Sequence, residues 1–120
     1  MTNIRQAVGA YGERCAVRHL VDAGLIVVER NWRCAAGEID IIARHADTIV
    51  FCEVKTRRSG RYGAPEEAVT AAKARRIRRL AAGWLAANPG HGRRPVRFDL
   101  ICVTVGRSGA AQVRHLTAAF

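Results

Sequence analysis

Acidic residues are scarce in this chain. Ten Asp and Glu stand against twenty Lys and Arg, a formal net charge of +10. Lysine is scarcer still: eighteen of those cations are arginine, and only Lys55 and Lys73 are lysine. No apolar run approaches the roughly 20 residues of a membrane-spanning helix, which argues against a membrane segment. The N-terminal stretch "MTNIRQAVGAYGERC" lacks the apolar core of a secretory signal, so a cytoplasmic location is expected. Cysteine is sparse and scattered: Cys15, Cys34, Cys52 and Cys102 form no CxxC pair and have no histidine beside them at metal-ligand spacing. They read as buried thiols of a reduced compartment rather than a disulfide or zinc framework.

At 120 residues, 49% of them hydrophobic, the chain is expected to fold as one domain, 1–120, with a core of its own. The excess of cations suits a polyanionic partner, of which nucleic acid is the commonest. A chain that uses arginine for charge makes its two lysines conspicuous, because an ammonium is a compact donor that can point at one oxygen or water.

Residues 8–23 have helical periodicity, with Val8, Tyr11, Cys15 and Leu20 on one stripe and Gly24 as a stop. "LIVVERNWR", "EIDIIAR" and "TIVFCEVK" read as three strands, the last two joined by a short polar link. "TRRSGRYGA" reads as a loop, and Pro65 with Glu66 and Glu67 opens a second helix running to Ala87. "VRFDLICVTV" is apolar on both faces and therefore central, and "AQVRHLTA" closes the chain. The order αβββαββ predicts a mixed α/β domain with helices packed on a sheet.

The scarce acids concentrate in an unexpected place, "GEIDIIARHADTIVFCEVK". A symmetric turn between Ala46 and Asp47 sets Asp40 opposite Glu53 and Glu38 opposite Lys55, all four on one face. The other face would carry Ile39, Ile41 and Ala43 against Val50, Cys52 and Val54. Like charges directly opposed are unfavourable, so either one carboxyl is protonated or a cation neutralises the pair. Mg²⁺ or Mn²⁺ would suit such oxygen donors, with Lys55 beside them to position a water. The alternative is a Glu38–Lys55 ion pair at a solvated sheet end, with Asp40 and Glu53 exposed.

An Asp on one strand followed by Glu-x-Lys on the next resembles the core of the PD-(D/E)XK nuclease superfamily. The chain as a whole resembles the YraN family of small bacterial proteins, through "GAYGERCAVRHLVDAGLIVVERNWR", "GEIDIIA", "FCEVKTRRSGRYGAPEEAV", the Lys73 helix and "RFDLICV". The resemblance implies a restriction-endonuclease-like fold, close in layout to archaeal Holliday-junction resolvases. Asp40 and Glu53 would then be metal carboxylates for Mg²⁺ or Mn²⁺, Lys55 the catalytic lysine and Glu13 the acid of the first helix. Ile39 stands where a Pro often precedes the Asp. The implied activity is hydrolysis of phosphodiester bonds in DNA, at branched or irregular structures. The rival expectation is a non-catalytic nucleic-acid-binding protein that keeps the fold. Related resolvases act as dimers on paired strands, so a homodimer is the assembly to test.

Several further residues could contact nucleic acid. Arg57, Arg58, Arg61 and Tyr62 follow Lys55 directly, where a scissile strand could be gripped. Arg75, Arg76, Arg78 and Arg79 are expected to project away from the stripe Val69, Lys73, Ile77, Leu80 and Trp84 and to contact phosphates. Lys73 either lays its stem along that stripe or reaches the site. Asp99 is expected to pair with a neighbouring arginine, and Trp32, Trp84 and Phe98 to be core.

Overall fold

The computed structural model describes residues 3–59 and 64–120. The first helix, α1 (Ile4–Asp22), begins four residues before the apolar stripe does, because Asn3 caps it. The Asn3 side chain accepts the Gln6 amide at 2.8 Å while the Gln6 side chain reaches back to the Asn3 amide. Gly24, at φ 91°, turns the chain out of the helix as its sequence position predicts.

The strands are β1 (Ile26–Cys34), β2 (Gly37–His45), β3 (Thr48–Arg58), β4 (Val96–Val105) and β5 (Gln112–Leu116), with α2 (Ala71–Ala87) between β3 and β4. The expected element order αβββαββ is therefore present. The five strands form one sheet in the order β1-β2-β3-β4-β5, in which β3 and β4 run parallel and every other neighbouring pair is antiparallel. A parallel pair needs a crossover, and α2 supplies it.

Each helix covers one face of the sheet. Ala16 and Leu20 of α1 pack with Ile41, Ala43, Val50, Cys52, Ile101 and Val103. On the opposite face Ile77, Leu80 and Trp84 of α2 pack with Ile39, Ile42, Ile49, Phe51 and Phe98. Trp84 is 1% exposed and meets Phe51 edge-on at 5.7 Å, so both the tryptophan and Phe98 are core, as expected, and Trp32 packs against the same cluster.

Three expectations need correction. Pro65 opens only a single 3-10 turn over Pro65–Ala68; α2 starts afresh at Ala71, where Thr70 Oγ1 accepts the Lys73 amide at 3.1 Å. Of the four free thiols, Cys52 and Cys102 are buried but Cys34 is exposed. Ile39 does not share a face with Ile41 and Ala43: it belongs to the α2 cluster, and they belong to the α1 cluster. The alternation breaks at Asp40, which faces Asn31 (φ 53°) between the pairs Arg30↔Ile41 and Trp32↔Ile39, while the one register shift of β1–β2 lies between Val27 and Glu29. Asn tolerates this left-handed conformation better than most residues. Asp40 therefore lies at a crossover between the two faces of the sheet. Among the described residues no helix is long and apolar enough to cross a membrane.

Candidate active site

The hairpin register matches the symmetric turn from His45↔Thr48 to Ile41↔Cys52, and there the ladder ends. The next link is made by a side chain: Asp40 Oδ2 accepts the Val54 amide proton at 2.8 Å. Beyond it β3 continues along β4 alone, as far as Arg58↔Val105. The two strands thus form a fork with the Asp40 carboxylate in its crotch. The expected pairing of Glu38 with Lys55 is not made, because the strands have parted. Glu38 instead takes Arg33 of its other neighbour at 3.0 Å.

Two recesses meet at Asp40. On the α1 side an open cleft of ≈ 930 Å³ is lined by Asp40, Glu13, Lys55, Arg5, Arg57 and Arg58. On the α2 side a smaller recess of ≈ 210 Å³ is lined by Asp40, Glu38, Glu53 and Arg76. Glu13 reaches the cleft because α1 approaches β3 closely. A Cβ added to the neighbouring Gly12 would lie 1.9 Å from Thr56 Oγ1 and 2.7 Å from Thr56 Cβ. Only glycine allows that approach.

The electrostatics follow from this crowding of acids. Burial pushes the Asp40 carboxyl up to about 6, and the charges of Glu13, Glu53 and Glu38 push the same way, against the stabilising Val54 amide. The two flanking acids are neutralised by arginines from other elements. Arg76 of α2 donates to Glu53 Oε1 at 2.8 Å, and Arg30 of β1 to Glu13 Oε1 at 3.4 Å. Among the described residues no group of three His, Cys, Asp or Glu stands together so as to hold a metal ion. The available donors are nevertheless hard carboxylate oxygens. They fit an ion such as Mg²⁺ or Mn²⁺, which binds through one or two carboxylates and lets substrate phosphate complete its shell.

Asp40, Glu13 and Lys55 thus line one cleft, and Glu53 lies in the adjoining recess. Arg57 and Arg58 line the cleft as well, whereas Arg61 and Tyr62 lie outside the described residues. The α2 arginines divide. All four are exposed, away from the buried stripe as expected, but Arg76 and Arg78 also meet neighbours. Arg76 turns back to Glu53; Arg78 stacks its guanidinium 4.6 Å from the Phe98 ring and donates to the Phe120 carbonyl at 2.7 Å. Lys73 is half-buried one turn before Ile77 and lines neither recess. Asp99 is fully buried and pairs with Arg97 through two 2.9 Å bonds, as expected, with further bonds from His115 at 2.7 Å and the Ala118 amide at 3.0 Å. Burial opposes its charge, but those donors outweigh it and hold the carboxyl below its ordinary value.

Arg5 and Arg30 were not legible in the sequence as members of the site, and neither was the bond of Arg76 to Glu53. Arg5, Gly9 and Glu13 recur at four-residue spacing, which marks one helix side, but starting the helix at Val8 hid the first of them. Arg30 and Arg76 meet their acids across elements, and no local spacing encodes such contacts.

The uncharacterised protein family UPF0102 matches residues 12–103. The chain belongs to this family. It is 54% identical over 112 residues to a UPF0102 protein of Kineococcus radiotolerans, covering 93% of this chain and 92% of that one. It is 56% identical over 112 residues to one of Beutenbergia cavernae, covering 93% and 94%. A Nocardioides relative is 52% identical over 113 residues, covering 94% and 90%. The match begins at Gly12 and therefore includes Glu13, the fork and all of α2.

Proposed function

We propose that this UPF0102 protein is a Mg²⁺- or Mn²⁺-dependent endonuclease of the PD-(D/E)XK type, acting on DNA at branched or irregular structures in the cytoplasm. The observation that carries the reading is the fork: Asp40 sits at its crotch, with Lys55 and Glu13 in the same arginine-lined cleft. Asp40 and Glu53 would hold the ion, which when bound supplies Lewis-acid polarisation of the scissile phosphate. Arg5, Arg57 and Arg58 grip phosphates on either side and fix the strand across the cleft. Lys55 sets its ammonium against the oxygen that gains charge as the bond breaks, and Glu13 accepts a hydrogen bond from the attacking water.

A second reading has an observation of its own. Glu53 and Glu13 are occupied by Arg76 and Arg30, as in a nuclease fold kept for binding alone. A cleavage panel with Mg²⁺ and Mn²⁺ over single-stranded, duplex, flap and four-way DNA, with RNA alongside, separates the two. Metal-dependent cutting of DNA supports the enzyme. Tight binding without cutting on every substrate supports the second reading.

A further inference from the structure

Arg76 stands out among the cations of this chain. Its guanidinium leaves α2 to meet Glu53 Oε1 at 2.8 Å, and that carboxylate lines the recess that adjoins the cleft at Asp40. The pair is lopsided in exposure: the Arg76 side chain is 54% exposed and Glu53 20%. A guanidinium so open to solvent can leave its carboxylate at little cost, and exposed ion pairs of this kind hold weakly. Arg75 and Arg79, exposed on the same helix, extend the basic surface on which Arg76 lies.

We propose that Arg76 is a positioning residue that exchanges Glu53 for a nucleic-acid phosphate, so that Glu53 accepts a divalent cation more readily once a strand is bound. The proposal rests on the nuclease reading above. A guanidinium and a divalent cation cannot share one carboxylate oxygen without repelling each other. A phosphate offers the guanidinium an equally good planar, two-pronged partner. Strand binding therefore frees the carboxylate, and by linkage the cation and the strand each raise the other's affinity. The device keeps the acids neutral while the cleft is empty.

The test measures Mn²⁺ affinity by electron paramagnetic resonance, with and without a hydrolysis-resistant phosphorothioate oligothymidylate as polyanion. Wild type is compared with Arg76→Ala and with Arg107→Ala, which removes the same charge from the β4–β5 turn. Without oligonucleotide, Arg76→Ala should bind Mn²⁺ about threefold or more tightly than wild type, and Arg107→Ala should not. Adding oligonucleotide should raise the wild-type affinity by about fivefold or more, within the usual range of such couplings, and raise that of Arg76→Ala clearly less, by what phosphate ligation of the ion contributes alone. Equal or weaker Mn²⁺ binding by Arg76→Ala overturns the exchange, as does equal tightening by Arg107→Ala. Both results leave the nuclease reading intact. If no variant binds Mn²⁺ with or without the oligonucleotide, the metal-dependent reading itself fails and takes the exchange with it.

Discussion

The Asp40 carboxylate takes the place of a backbone carbonyl: it accepts the Val54 amide at 2.8 Å, one step beyond the last true pair of the β2–β3 ladder. A single side chain thereby satisfies a backbone donor, ends a hairpin and presents a carboxylate at the opening. The same crowding makes Asp40 costly to the fold.

That cost should be visible in stability. In the folded state Asp40 titrates at about 6, above the ordinary 3.8, so between those values the native chain binds more protons than the unfolded one. Stability should therefore fall as pH rises from about 4 to about 6 and level off above. Asp40→Asn keeps an oxygen for the Val54 amide and removes the charge. In EDTA it should gain on the order of 2–3 kcal/mol over wild type at pH 8, shrinking towards nothing near pH 4. Urea melts at the two pH values measure this, and an equal effect at both would show that Asp40 carries an ordinary carboxyl.

Gly12→Ala should loosen the seat of α1 on β3. The added Cβ would meet Thr56 Cβ at 2.7 Å, an atom fixed to the strand, so the helix itself must move. A loss of roughly 1–3 kcal/mol is expected. Thr56→Ala removes the two other close atoms, so the double variant should recover part of that loss; additive losses in a double-mutant cycle would place the strain elsewhere.

Salt titration tests the cleft arginines. Each phosphate contact contributes about 0.9 to the slope of log affinity against log salt on duplex DNA. Replacing Arg57 and Arg58 together by Ala should flatten the slope by roughly one to two units and weaken binding across unrelated sequences alike. An unchanged slope would remove the cleft from the binding surface.

Much of this architecture was legible because local chemistry encodes it. Turn arithmetic gave the hairpin register over 41–45 and 48–52, and alternation placed Ile41, Ala43, Val50 and Cys52 on one face. The "RFDLICV" stretch read as a central strand because its interior is apolar on both sides, and Asp99 found the arginine two residues before it. What stayed hidden depends on conformation or on distant segments. Ile39 changes face beside an Asn31 of positive φ on the neighbouring strand, and a side chain replaces a carbonyl where the fork opens. Pro65 and its two acids are a sound helix start, yet Thr70 caps a better one. Arg76 lies on a helix whose arginines look alike in sequence, and only the packing of α2 over β3 selects the one that meets Glu53.

On the proposed reading Lys55 serves a reaction rather than an ion pair. It lines the cleft beside Asp40 and Glu13, and the Glu38 that was its candidate partner is held by Arg33. The most direct measurement is single-turnover cleavage of four-way and flap DNA in Mn²⁺ by wild type, Lys55→Ala and Lys55→Arg, with binding followed in parallel. Wild type should cut, and Lys55→Ala should lose roughly 100-fold or more in rate while its DNA affinity changes by no more than about twofold, since its ammonium acts where charge develops. Lys55→Arg keeps the charge but spreads it over a planar fork, and it should stay well below wild type. Equal cleavage by all three would remove Lys55 from the reaction, and none by wild type on any DNA would overturn the nuclease reading.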